Sequence, residues 1–302
     1  VFGPTGLGKT EVALTLAERL RGEVVSADSM QVYRGLPILT NQPTPAQLAR
    51  ARHHLVAVVD PDAEFSVAAY ARLAAPVFDE LAHRRCAAVI EGGSGLYLRA
   101  ALGGLSFGPP PAAVRDELEA LAARDPRALV ARLERLDPRA ALRVDLDNPR
   151  RVVRALEKAL AETRRADQSS APDRGPGSLL WSAGRRGARL VALEPDRERL
   201  RERVDARVEE MFAGGLVDEV RTVRGGYDLS RTVRQAIGVA EVCAYLDGEL
   251  TLEEARRRMQ ARTRAYVRRQ LTWMRKLPDA ARIRVSARPA DDVAGEIIER
   301  LF

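Results

Sequence analysis

"VFGPTGLGKT", residues 1 to 10, carries the spacing G-x-x-x-x-G-K-[ST] in Gly3, Gly8, Lys9 and Thr10. Gly3, Gly6 and Gly8 let the backbone curl so that successive N–H groups face one anion. Lys9 adds a compact positive charge, and Thr10 a hydroxyl that can reach Mg²⁺. The next stretch, "TEVALTLAERL", sets Val12, Ala13, Leu16, Ala17 and Leu20 on one helical face, so a helix N-terminus also points at the anion. The motif predicts a phosphate-binding loop (P-loop), but does not choose between ATP, GTP and another diphosphate. Such a loop follows a buried strand. Only Val1 and Phe2 precede Gly3, so the sequence is expected to begin inside that strand.

Outward from the loop, Val24 and Val25 read as a short strand running into a polar turn at Ser26 to Ser29. "SVAAYARLAAPVFDELAHRR" reads as a helix, and "CAAVIEGGSGLYLRAAL" as a buried strand, a glycine turn and a second helix. Strand, loop and helix in alternation predict an α/β fold with a P-loop NTPase-like parallel sheet flanked by helices. Ligands of such sheets sit beyond the carboxyl ends of the strands. The turns Gly3–Thr10, Ala27–Gln31 and Gly92–Gly95 should therefore converge. Prolines 109–111 break the pattern, and from there to about residue 165 the chain is helical with no strand candidate. "ETRRADQSSAPDRGPGS" reads as a flexible loop, after which "ARLVALEP" restores a strand. The expectation is a core of residues 1–108 and 186–302, interrupted at 109–185 by an all-helical insertion that ends in a flexible loop. The rest of the chain, through "TLEEARRRMQARTRAYVRRQLTWMRKL", reads as amphipathic helix.

Composition narrows the class. With 46% hydrophobic and 30% charged residues the chain reads as globular, and no apolar run approaches the ~20 residues that span a bilayer. Cys86 and Cys243 lie far apart without metal-ligand spacing, which suits a reduced, cytoplasmic protein. A net charge of +7 suits a polyanionic partner.

Several residues carry candidate chemistry. A P-loop hydrolase needs an apolar strand ending in a carboxylate that helps to hold Mg²⁺. Here Val89-Ile90-Glu91 is the best candidate, and Glu91 reads as a solvated strand end with no water-positioning signature beside it. Asp28 either caps its turn or serves as a carboxylate beside the phosphates, able to take a proton from a nucleophile. Adjacent His53 and His54 point apart on any regular element, so packing or capping is expected rather than a metal pair. Residues 256–276 hold nine cationic side chains and no acid, with Tyr266 and Trp273 interleaved, a composition suited to an RNA backbone and unstacked bases.

Taken together, "GPTGLGKT", "SADSMQVYRG", "HHLVAVVDPDAEFSVAAY", "NPRRVVRALE" and "TRAYVRRQLTWMRK" resemble the bacterial-type tRNA dimethylallyltransferases (tRNA isopentenyltransferases) over almost the whole chain. The resemblance implies transfer of a dimethylallyl group from dimethylallyl diphosphate to N6 of the adenosine 3′ to the anticodon, in tRNAs reading codons that begin with U. It also implies Mg²⁺, a monomer and no membrane. Asp28 matches the general base and Ser94, where Thr is usual, a catalytic hydroxyl. Gly3, Pro4, Thr5, Gly6, Leu7, Gly8, Lys9, Thr10 and Arg207 match the diphosphate site, with the metal at Thr10. Asp28, Ser29, Met30, Gln31 and Ser94 match the segments that receive the target base. Further tRNA contacts are implied at Arg115, Arg150, Arg151, Val152, Val153, Arg154, Arg234, Gln235, Ala236, Ile237, Gly238 and Val239. The last group is Arg268, Arg269, Gln270, Leu271, Thr272, Trp273, Met274 and Arg275. The chain departs from the family at Gln42 (usually Lys), Glu91 (usually Val) and Val239-Ala240 (usually Tyr-Lys). Prenylation of a free adenine nucleotide, a small-molecule kinase and a non-enzymatic RNA-binding protein are the alternatives.

Overall fold

The computed structural model describes residues 1–102, 112–166, 188–277, 280–286 and 288–302. Val24 and Val25 are fully buried in β1 (Glu23–Ser26), a strand covered on both faces as parallel strands are. β1 pairs in parallel with β2 (His53–His54) on one side and β3 (Ala88–Glu91) on the other. Phe2 bridges in parallel to Gly92 and to Ala192, joining β3 to β4 (Val191–Glu194), which pairs in parallel with β5 (Ala281–Arg284). The P-loop thus leaves the middle of a parallel sheet, between β3 and β4, as the P-loop NTPase-like fold requires. β5 had no counterpart in the sequence reading.

Five helices belong to the first stretch of chain: α1 (Lys9–Leu20), α2 (Pro37–Thr40), α3 (Pro45–Arg50), α4 (Val67–His83) and α5 (Gly95–Ala101). The helical stretch that follows comprises α6 (Ala112–Arg124), α7 (Pro126–Leu136), α8 (Pro138–Ala141) and α9 (Pro149–Ala166). After β4 come α10 (Arg197–Ala213), α11 (Leu216–Gly226), α12 (Arg231–Arg234), α13 (Val239–Leu246), α14 (Leu252–Arg275) and α15 (Ala290–Leu301). α1 buries Val12, Ala13, Leu16 and Ala17 as its periodicity predicts, and also Leu14 and Thr15. The wider buried face arises because α1 packs on Val24, Val89 and Leu193 of the sheet and on Val293 and Ile297 of α15.

The chain divides into two compact units, Val1–Leu105 with Ser178–Phe302, and Ser106–Gly177. The second unit has its own core, in which Leu118, Leu129, Leu133, Val152 and Leu156 meet. The expected boundaries at 108/109 and 185/186, prolines 109–111 and residues 167–178 of the expected loop lie outside the described residues. The helix expected to run to about residue 165 ends at Ala166, so residues 162–166, where the loop stretch was expected to start, close α9.

Candidate active site

Gly6 and Gly8 take positive φ angles of 84° and 73°, which a side chain would strain. Gly8 is the N-cap of α1 and provides no side-chain cap, so the first N–H groups of that helix remain for an anion. The Lys9 ammonium donates to the Pro4 carbonyl at 3.0 Å, closing the loop on itself. Thr10 Oγ1 donates to Glu91 Oε1 at 3.4 Å. Glu91 is only 3% exposed, which corrects its reading as a solvated strand end: α1 and the P-loop cover it. Its second oxygen, Oε2, is buried without a hydrogen-bond partner. Burial pushes the Glu91 carboxyl up, opposed by Lys9 and the Thr10 bond, and burial pushes the Lys9 ammonium down, opposed by Glu91 and Asp28.

Asp28 performs one of its two candidate roles visibly and remains equipped for the other. Its Oδ1 accepts from the Met30 N–H at 2.8 Å and the Gln31 N–H at 3.3 Å, capping the turn after β1. No hydrogen bond engages Oδ2 among the described residues. Gln31, by contrast, is buried: its side chain accepts from Ser26 Oγ at 2.7 Å and donates to the Asn41 carbonyl at 2.9 Å. Within the segment expected to receive the target base, its side chain therefore braces the turn.

The three turns do converge, and α14 holds two of them together. Gln270 accepts from the Thr5 N–H and donates to the Gly93 carbonyl, both at 3.0 Å. One turn later on the same helix face, the Trp273 ring covers Gly95, where a Cβ would lie 2.7 Å from a ring carbon. Gly92 abuts the Ala27 carbonyl with no room for a Cβ. Ser94 is the N-cap residue of α5, yet its side chain makes no capping bond.

Beside these turns lies a cleft of about 320 Å³. Of the residues expected at the site, Thr5, Asp28, Ser29, Met30, Arg207, Gln235, Ala236, Ile237 and Arg269 line it. Arg207 is half-buried, and burial lowers its guanidinium, opposed by Glu210 and Asp28. The sequence reading missed Leu39, Val208, Met211 and Met259, which give the cleft an apolar wall, and also Thr40 and Thr263; Arg262, one of the nine cations of the 256–276 run, lines it as well. Tyr266, noted only as an aromatic among arginines, lines it too, with the Arg269 guanidinium 5.6 Å from its ring. The 235–238 segment is held from behind. Arg262 donates to the Gln235 carbonyl at 2.9 Å and pairs with buried Glu241, which accepts from the Gly238 N–H at 2.7 Å. A cleft lined by Arg207, Arg262 and Arg269 together with an apolar wall suits a small apolar group carried on an anionic head.

The remaining positions sort by exposure. Arg115, Arg150, Arg151 and Arg154 are exposed on the helical unit, whereas Val152 and Val153 belong to its core. In the other unit Arg234, Arg268, Arg269, Thr272 and Arg275 are exposed, and Leu271 and Trp273 are partly buried. Val239, Gln270 and Met274 are no more than 5% exposed, Gly238 is buried, and Val152 and Val153 pack in the core of the helical unit. The acid-free run 256–276 meets acids from elsewhere in space: Arg256 pairs with Glu209, Arg262 with Glu241 and Arg264 with Asp205. His53 and His54 do point apart, His53 Nδ1 to the Ala51 carbonyl at 2.8 Å and His54 Nε2 to Glu23 at 2.5 Å. Among the described residues no cluster of three or more His, Cys, Asp or Glu could hold a metal.

Comparison with known proteins places this chain in a family. The family model described as "IPP transferase" matches residues 31–277. The tRNA dimethylallyltransferase of Anaeromyxobacter dehalogenans (strain 2CP-C) is 45% identical over 282 residues, 91% of this chain and 91% of the relative. That of Geobacter sulfurreducens is 41% identical over 286 residues, 92% of this chain and 88% of the relative. The crystal structure of the full-length tRNA isopentenylpyrophosphate transferase from Bacillus halodurans superposes with a TM-score of 0.70 at 35% identity, covering 99% of this chain and 93% of that one. With the family model matched over most of its length and relatives above 40% identical over nine-tenths of it, the chain belongs to the IPP transferase family of prenyltransferases.

Proposed function

We propose that the chain transfers a dimethylallyl group from dimethylallyl diphosphate to N6 of the adenosine 3′ to the anticodon, in tRNAs reading codons that begin with U, and releases diphosphate. The observation that carries this reading is Asp28, which lines the same cleft as Thr5 of the P-loop, Arg207 and the apolar wall and whose Oδ2 has no hydrogen bond among the described residues. The N6 nitrogen attacks the allylic carbon as the carbon–oxygen bond breaks, and the electron pair leaves with the diphosphate oxygen. Asp28 accepts the N6 proton. The N–H groups of Gly6 to Thr10, the Lys9 ammonium and the Arg207 guanidinium receive the charge that develops on the leaving group, and Ser94 Oγ offers it a further hydrogen bond. The Thr10 hydroxyl is a hard oxygen donor that would hold Mg²⁺, with the buried Glu91 carboxylate bonded behind it. When bound, Mg²⁺ neutralises charge on the diphosphate.

The adenosine must leave the anticodon loop to reach the cleft, at a cost of a few kcal/mol that stacking and phosphate contacts offset. Exposed Arg268, Arg269 and Arg275 on α14, and Arg115, Arg150, Arg151 and Arg154 in the helical stretch proposed as a tRNA-binding insertion, are suited to those phosphates. No helix among the described residues is long and apolar enough to cross a membrane, and the proposed setting is the cytoplasm, with the protein acting as a monomer.

The test is to incubate the protein with labelled dimethylallyl diphosphate and anticodon stem-loops that carry A or G at the target position. Label should enter only the adenosine loop, and excess AMP should not compete. Absence of label in both loops sinks the proposal. The Thr10–Glu91 contact favours one second reading, phosphoryl transfer from a nucleoside triphosphate, which predicts γ-phosphate release instead.

A further inference from the structure

β3 lies beside the P-loop strand, joined to it by the Phe2–Gly92 bridge, and ends in a carboxylate at the first turn of α1. Strands do not place a charge under a helix without compensation, because a buried carboxylate with an unmet oxygen costs several kcal/mol. Lys9 does not supply it directly. Its ammonium bonds the Pro4 carbonyl, and no ion pair among the described residues joins it to Glu91. The only hydrogen bond described for Glu91's carboxylate comes from the Thr10 hydroxyl, at 3.4 Å, while Oε2 is buried and unpartnered.

We propose that Glu91 is the outer carboxylate of the cation site at the P-loop: it accepts the hydrogen bond of the Thr10 hydroxyl, leaves that oxygen's lone pairs to the ion, and adds a negative charge behind it. The inference rests on the diphosphate reading above and deepens it. A group that orients a ligand and raises its basicity changes metal affinity by about 10–100-fold. Glu91 is a positioning residue in this account, so its effect belongs in the coupling between metal and diphosphate rather than in the chemistry.

The experiment measures binding of labelled inorganic diphosphate to the full chain in EDTA and at saturating Mg²⁺. The readout is the ratio of the two dissociation constants, for the wild type, Glu91→Gln and Glu91→Val, with thermal melts confirming that each variant folds. Glu91→Gln should lower the Mg²⁺-dependent gain by about 10–100-fold while metal-free affinity stays level or tightens. Glu91→Val, which keeps the strand apolar, should do the same. An unchanged Mg²⁺-dependent gain in both variants overturns the proposal, even if metal-free binding tightens, because that pattern assigns Glu91 only to screening Lys9. A wild type that binds no diphosphate under either condition overturns the inference and the diphosphate reading together. A wild type that binds diphosphate but leaves stem-loops unlabelled counts against the functional reading alone.

Discussion

Gln270 is the side chain through which α14 controls the geometry of the P-loop, and truncating it should cost stability and diphosphate affinity together. Its amide satisfies the Thr5 N–H and the Gly93 carbonyl at 3.0 Å each. In Gln270→Ala the buried Gly93 carbonyl loses its donor, about 1–3 kcal/mol, and the partly exposed Thr5 N–H loses its acceptor, about 0.5–1.5 kcal/mol. The sum, roughly 1.5–4.5 kcal/mol, corresponds to a fall in melting temperature of roughly 3–18 °C at ~2–4 °C per kcal/mol. Gln270→Glu separates the two bonds. Either form of the carboxyl accepts from Thr5, but only the protonated form donates to Gly93. Its folded pKa is therefore raised above the unfolded value of about 4.3, so its advantage over Gln270→Ala is full below pH ~4 and is lost as pH rises through the folded value. The assay is thermal unfolding of both variants across pH 4–8 together with diphosphate binding. A Gln270→Ala protein that melts within about 1 °C of the wild type, or a Gln270→Glu protein whose offset from it ignores pH, refutes the reasoning.

Two further outcomes follow from the charged groups. Arg84, and secondarily His54, hold the Glu23 carboxyl down to about 2. Because its folded value lies below the unfolded one, Glu23 contributes stability above about pH 4.3 that is lost as pH falls toward 2. Glu23→Gln should cost roughly 1–2 kcal/mol at neutral pH and flatten the acid limb of the stability curve, and an unaltered acid limb would contradict the assignment. On α14, Arg268→Ala should lower the slope of log affinity for a stem-loop against log salt by about 1, whereas Arg264→Ala, whose guanidinium already pairs with Asp205 at 2.5 Å, should barely change it. Equal effects would show that pairing within the protein does not sort these arginines.

The parts of the site that were legible in the sequence are those carried by short-range patterns. The P-loop spacing, the Ser-Ala-Asp-Ser turn and the Gly-Gly-Ser-Gly turn each encode a local backbone shape, and the parallel sheet brings their ends together. What could not be read depended on partners distant in sequence. Glu91 looked like a solvated strand end because nothing near it reveals that α1 closes over it. The arginines of α14 looked uniformly free because the acids that neutralise Arg256 and Arg264 stand on α10, 47 and 59 residues away. Gln270 and Trp273 sit among exposed arginines in a motif suggestive of RNA, yet they face inward, toward Gly93 and Gly95. The apolar wall was invisible because Leu39, Met211 and Met259 come from three unrelated helices. β5 was missed because Ile283 is the only fully buried residue among its four.

The central claim is that Asp28 Oδ2 takes the N6 proton while the P-loop grips a departing diphosphate. It is tested most directly by single-turnover transfer from labelled dimethylallyl diphosphate to an adenosine-bearing stem-loop, comparing the wild type with Asp28→Asn, which keeps the turn-capping oxygen. The account predicts a rate lower by about 10²–10⁴-fold with diphosphate affinity within a few-fold of the wild type. Wild-type transfer by Asp28→Asn, or a loss of transfer matched by an equal loss of diphosphate binding, would contradict it.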